Sequence, residues 1–165
     1  MQDRSRKSPP QAPAPTESPH LLRELTRSRT ALLSLHSAYT YGSILLQRDL
    51  PSVAALLAAI ARDTEKDAFA LGLLLREQGA EHAASMSLRD TSYRLQADAD
   101  SHAPVVALRL INDRIRDEKN GILHAKALQK KTVSEAARQA TLKRIASGEE
   151  RLALLEEMAA RLTGS

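Results

Sequence analysis

The sequence predicts an all-α fold, an antiparallel four-helix bundle with a long crossover between its second and third helices. Three observations carry that prediction. Aromatic residues are only 2% of the chain, one Phe and three Tyr with no Trp, whereas sheets fill their pleated faces with aromatic and β-branched side chains. Leu and Ala, with Arg, Glu and Lys, dominate instead, and these are the residues that favour helix packed on helix. From His20 onward apolar residues recur with a period near 3.6 in four long stretches, and the connections between those stretches run short, long, short.

The first helix is expected from about Pro19 to Gln47, with Ser18 as N-cap and Pro19 at the first helical position. Its stripe reads Leu22, Leu25, Leu32, His36, Tyr39, Ser43 and Leu46. The second opens near Leu50-Pro51 with Asp49 as cap and stops before Gly79; its stripe is Val53, Leu56, Ile60, Thr64, Asp67, Leu71 and Leu74. The third begins after Asp100-Ser101, admits Pro104 in its first turn and ends near Lys131, with Leu108, Ile111, Ile115, Glu118, Ile122 and Ala125 on one face. The fourth opens with a capping box, Thr132 with Glu135, and closes before Gly164. Its stripe is Leu142, Ile145, Glu149, Leu152, Leu155, Ala159 and Leu162. Short joints make helices one and two, and helices three and four, antiparallel neighbours. The polar stretch from Ala80 to Asp100, with a short helical turn around Ser92–Gln96, is long enough to cross the bundle.

Before the first helix, residues 1–19 hold five of the seven prolines among Ser, Gln, Arg and Lys. Such a segment buries too little apolar surface to offset its ordering entropy, so residues 1–19 read as a disordered tail and 20–165 as the bundle domain. The absence of cysteine excludes disulfide scaffolds, thiolate metal sites and cysteine nucleophiles. No apolar run reaches the length of a membrane span, and no apolar segment follows the basic N-terminus. A cytoplasmic protein is the expectation. The net charge of +4 is mild. The densest basic stretch, Arg109 to Lys131, is broken by Asp113, Asp117 and Glu118 and lacks interleaved aromatics, so nucleic-acid binding is disfavoured. Phosphate-cradling glycine loops and nucleophile elbows are missing too.

The second helix of each pair carries a similar segment, Ile60-Ala61-Arg62-Asp63-Thr64-Glu65-Lys66-Asp67 and Ile145-Ala146-Ser147-Gly148-Glu149-Glu150-Arg151-Leu152. With the two-hairpin layout, this resembles the ferritin-like (rubrerythrin-like) superfamily, whose second helices commonly read Ile-Ala-x-x-Glu-x-x-His. The resemblance implies an iron or manganese site built from one Glu on each of two helices and Glu-x-x-His on the other two. Carried over, the first Glu-x-x-His falls on Thr64 and Asp67 and the second on Glu149 and Leu152. The third-helix Glu falls on Glu118, and the equivalent first-helix position holds Leu33. Both His are absent, a departure that argues against a standard di-iron oxidase.

Polar residues nevertheless interrupt the stripes near the helix midpoints: His36, Thr64, Asp67, Glu118 and Glu149. Buried carboxylates must be paired, metal-bound or protonated. Three arrangements therefore stay open. One is an altered metal site on His36, Asp67, Glu118 and Glu149; another is a metal-free hydrogen-bonded or ionic cluster drawing in Tyr39 or Arg114. The third has some of these residues at the solvent edge. His20, His82 and His102 lie in the tail or loops without a partner at ligand spacing, and His124 shares no chelating face with Glu118.

Helices one and two also hold apolar residues outside their stripes, Leu33, Leu35, Ile44, Leu45, Leu57, Leu73 and Leu75, which points to a partner surface and a homodimer. The expected function is that of a non-enzymatic bundle acting through oligomerisation or a protein partner. The alternative is a metal-carboxylate protein with oxidase or storage activity.

Overall fold

Proline opens three of the four helices, because its fixed φ suits the first turn and its missing N–H is an orphan there in any case. A computed structural model describes residues 16–80 and 102–164, and they form α1 (Pro19–Leu46), α2 (Pro51–Glu77), α3 (Ala103–Gln129) and α4 (Glu135–Thr163). Among the described residues there is no strand. Ser18 caps α1 as expected, its side chain accepting from the Leu21 N–H at 3.2 Å. Two expected caps are corrected. The residue before α2 is Leu50, with no side-chain cap bond; the chain turns through the Leu50 N–H to Leu46 C=O bond, and Pro51 then starts α2 with no N–H of its own. At α4 the cap is Ser134, which accepts from the Ala137 N–H at 3.2 Å. Thr132 closes α3 instead, donating to the Gln129 carbonyl.

The C-terminus of α2 shows why Gly79 ends it. Gly79 sits at φ 75°, and the Gly79 and Ala80 N–H groups bond the Arg76 and Leu75 carbonyls. This left-handed cap satisfies two orphan carbonyls at a conformation that side chains with a Cβ rarely adopt.

α1 packs against α2 and α3, and α4 packs against α3 and α2, so α1 and α4, like α2 and α3, stand diagonally. One apolar layer joins Leu46 of α1 and Val53 of α2 with Ala107 and Ile111 of α3 and Leu155 of α4. The other joins Leu21 and Leu25 of α1, Leu71 and Leu75 of α2, Leu128 of α3 and Ala137 of α4. The C-terminus of α1 therefore meets the N-termini of α2 and α3, and α2 and α3 run parallel across the diagonal. The end of α2 and the start of α3 lie at opposite ends of the bundle, about 40 Å apart at 1.5 Å per helical residue. The expected crossover and its short helical turn at Ser92–Gln96 fall outside the described residues, but the ends it must join are those of two parallel helices. Its 81–101 stretch reaches up to about 70 Å when extended, enough to make the connection.

Gly42 sets the closeness of α1 and α3: a Cβ there would stand 2.9 Å from Leu110 Cδ1 and 3.2 Å from Leu57 Cδ1. Each leucine or isoleucine buried in these layers contributes about 1.5–3 kcal/mol relative to exposure.

The boundary of the N-terminal tail moves. Residues 1–15 lie outside the described residues, yet Glu17 is 3% exposed. Its carboxylate accepts from the Val133 and Ser134 N–H groups at 2.9 and 2.7 Å, while its own N–H bonds the Gln78 side chain. An acidic side chain facing the start of α4 satisfies orphan donors and meets the positive end of the helix dipole. That interaction holds the chain in place before α1 begins.

Candidate functional site

Between the two apolar layers the bundle has a polar waist. Periodicity puts it there: Arg114 and Glu118 lie between Ile111 and Ile122 on the inner face of α3, and Arg144 and Arg151 lie between Ala137 and Leu155 on that of α4. α1 contributes Tyr39, and α2 contributes Thr64 and Asp67. All seven are buried, with Glu118, Tyr39 and Thr64 at 0% exposure and Arg151 at 2%.

Glu118 and Arg151 form the centre. Glu118 Oε1 accepts from Tyr39 OH and from Arg151 Nε, both at 2.9 Å. Arg151 Nη1 donates to Asp67 Oδ2 at 2.9 Å and to Asp63 Oδ2 at 2.6 Å, so one guanidinium ties α4 to both α2 and α3. Ser147 Oγ reaches Asp67 Oδ1 at 3.3 Å. On the other side, Arg144 Nη1 stands 3.5 Å from Glu118 Oε2, without a hydrogen bond to either atom. Arg114 Nη2 pairs with Asp117 Oδ2 at 2.9 Å. Thr64 is satisfied locally, donating to the Ile60 carbonyl at 2.8 Å.

Burial sets the charge states. It lowers the Arg144 guanidinium below its ordinary value, with Glu118 opposing, and does the same to Arg114, with Asp117 opposing. For Arg151 burial acts in the same sense, but the charges and hydrogen bonds of Glu118 and Asp67 outweigh it and hold the guanidinium firmly protonated. Burial pushes the Asp67 carboxyl up, although Arg151 counters it. Tyr39 is pushed well above its ordinary value by burial and then by the Glu118 charge, so its phenol remains a donor.

The four expected ligands do not come together. Asp67 and Glu118 share Arg151, but Glu149 lies on the outer face, 54% exposed and paired with Lys126 at 3.0 Å. His36 is half-buried and directs Nδ1 to the Ala61 carbonyl at 2.9 Å. The reason is the rotation of α4: its buried row is Ala137, Thr141, Arg144, Ile145, Gly148, Arg151 and Leu155, which turns Glu149 and the 39%-exposed Leu142 outward. Among the described residues no three His, Cys, Asp or Glu side chains stand close enough to hold a metal ion. The residues present do not suit one either, because a fixed guanidinium charge already lies between the carboxylates of α2 and α3, where it would repel a divalent cation. The side chains that do come together form an ionic and hydrogen-bonded cluster that includes Tyr39.

Sequence reasoning missed Arg144 and Arg151 as core residues. Their signal was present in the row Ala137, Thr141, Arg144, Gly148, Arg151, Leu155, whose alternating steps of three and four mark a buried helix seam. Long arginine stems are apolar enough to cross a core while the head finds a partner.

On its α1–α3 side the network borders a cavity of about 500 Å³. Arg114 and Arg144 enter it from within, and Arg27 and Asn120 stand at its exposed rim. No helix of the described residues is long and apolar enough to cross a membrane. Compared with protein families, curated proteins and solved structures, the chain has no match.

Proposed function

We propose that this chain is a non-enzymatic, cytoplasmic helical bundle that acts by assembling with a second copy or with a protein partner, and that an ionic network serves in its core instead of a metal centre. The observation that carries this reading is the Arg151 guanidinium, bonded at once to Glu118 and Asp67. It supplies the positive charge that a resemblance to ferritin-like proteins would assign to iron or manganese. Support for assembly comes from Tyr41, Ile44 and Leu45, which stand 46%, 66% and 37% exposed at helical spacing on α1. Of the apolar residues expected outside the stripes, Ile44, Leu45 and Leu73 are exposed, while Leu35, Leu57 and Leu75 are buried within the bundle.

The test combines elemental analysis of tag-free protein from cells grown with iron and manganese with light scattering at tens of micromolar. The expected result is less than stoichiometric metal and the mass of a dimer. One or two metals per chain, lost in Glu118→Ala, would replace this reading with that of a metal-carboxylate protein. A monomer mass, unchanged by Ile44→Lys, would remove self-assembly and leave a heterologous partner.

A further inference from the structure

Arg144 originates on α4, yet it opens into the cavity between α1 and α3, reaching past its neighbour α3 toward the diagonally placed α1. Two glycines clear its path. A Cβ at Gly121 of α3 would stand 2.5 Å from Arg144 Nη2, and one at Gly148 of α4 would stand 2.6 Å from Nη1. The guanidinium is thus threaded through a slot in the helix packing and is 4% exposed. Nothing in the network accepts a hydrogen bond from Nη1. The nearest carboxylate, Glu118, commits Oε1 to Tyr39 and Arg151 and leaves Oε2 at 3.5 Å. Arg151 has Glu118, Asp63 and Asp67 as hydrogen-bonded partners, whereas among the described residues Arg144 has none and meets Glu118 only as an ion pair at 3.5 Å.

Buried donors are normally satisfied, and a guanidinium fork matches a planar carboxylate with two parallel hydrogen bonds. The walls suit the rest of such a molecule: Ala31 and Leu35 are apolar, Ser34 and Asn120 are small and polar, and the volume of about 500 Å³ lies within the range of small-molecule pockets. Asp117 in the lining and Glu118 behind Arg144 repel a second negative charge, which favours a monoanion over a phosphate dianion.

We propose that the cavity between α1 and α3 binds a small organic carboxylate, its head group held by Arg144 with Arg114 beside it and its apolar body against Ala31 and Leu35. The site rests on the metal-free reading above, since a metal at Glu118 would displace the arginines that form it.

Titration calorimetry of the full chain with hexanoate and with benzoate tests the proposal, with hexan-1-ol, benzyl alcohol and inorganic phosphate as comparisons. Saturable binding of one or both acids is expected, with at least about tenfold weaker binding of the alcohols and of phosphate. Arg144→Met should abolish binding. Because that change also touches the network, Ala31→Leu provides the second variant: Ala31 is an exposed cavity residue outside the network. Its added bulk should weaken binding at least about tenfold with the melting temperature unchanged. No saturable binding of either acid at millimolar concentration, or binding indifferent to both variants, would overturn the site. Phosphate binding as tightly as the acids would overturn the carboxylate class. Elemental analysis of the same preparation separates the two failures: metal-free protein that ignores the acids loses this site alone, whereas metal-loaded protein loses the reading beneath it as well.

Discussion

At either end of the bundle the helices meet through leucine, isoleucine and alanine, whereas at the waist they meet through Glu118, Arg151, Asp67, Tyr39 and Arg144. The ends stabilise without direction, and a leucine that shifts by an ångström still buries its surface. The waist works differently, because Arg151 must reach Glu118 on α3 and Asp67 on α2 at once. A slip of α4 by one residue would turn that side chain by about 100° and strand two buried carboxylates. The apolar layers therefore contribute most of the stability, and the waist selects the rotation and register at which the helices pack.

The largest expected effect tests the waist. Arg151→Met leaves Glu118 and Asp67 without their shared cation and should cost about 3–5 kcal/mol, a fall in melting temperature of about 10 °C for a chain of this size. Glu118→Leu, which leaves Arg144 and Arg151 short of a partner, should also lower it. The double variant Glu118→Leu/Arg151→Met should recover part of the loss, since an apolar replacement of a whole ionic pair is tolerated better than half of one. Strictly additive losses would mean that the pair is not coupled and that the contrast between waist and ends is overdrawn.

Next come the ends. Leu57→Ala in one layer and Leu25→Ala in the other remove side chains at 0% exposure, and each should cost about 3 kcal/mol by denaturant unfolding. Losses below about 1 kcal/mol would reveal layers loose enough to collapse around the cavity.

A smaller effect, of about 2 kcal/mol, is expected from Glu17→Ala, which leaves the buried Ser134 N–H and the more exposed Val133 N–H without their acceptor. Hydrogen exchange at those two amides should accelerate as a direct check.

The smallest effect is in pH. Burial raises the Asp67 carboxyl from its ordinary value, so the folded chain holds that proton more tightly than the unfolded one. This contribution is complete below about pH 3.9, the unfolded value, and is lost as pH rises through the folded one. Asp67→Asn removes the titration. The stability of the wild type relative to that variant should therefore decline as pH rises above about 4, and a difference that rises instead would show that Arg151 outweighs burial at Asp67.

The four helices were legible because apolar periodicity and proline or glycine punctuation act locally: Ser18, Pro19, Pro51, Gly79 and Gly164 sit where the pattern placed them. Asp67 and Glu118 were legible as buried acids for the same reason, each flanked by apolar residues at helical spacing. The Thr132 cap failed because Thr132 and Ser134 compete near the start of α4, and the Asp49 cap failed because the Leu46–Leu50 turn brings apolar Leu50 to that position; in both cases only the turn geometry decides.

What the sequence by itself determined is the class of the fold, the four spans and the presence of polar groups at mid-height, all consequences of a 3.6-residue period that needs no partner to be read. What only the tertiary structure decided is the rotation of α4 and, with it, the identity of the site. An arginine counts as a surface residue until a buried carboxylate on another helix offsets its desolvation, and that carboxylate lies 33 positions away in Glu118 and 84 away in Asp67. Such a pairing has no local signature. Once it forms, Glu149 turns to solvent, Arg144 threads between Gly121 and Gly148, and the Arg151 guanidinium is held between the carboxylates of α2 and α3.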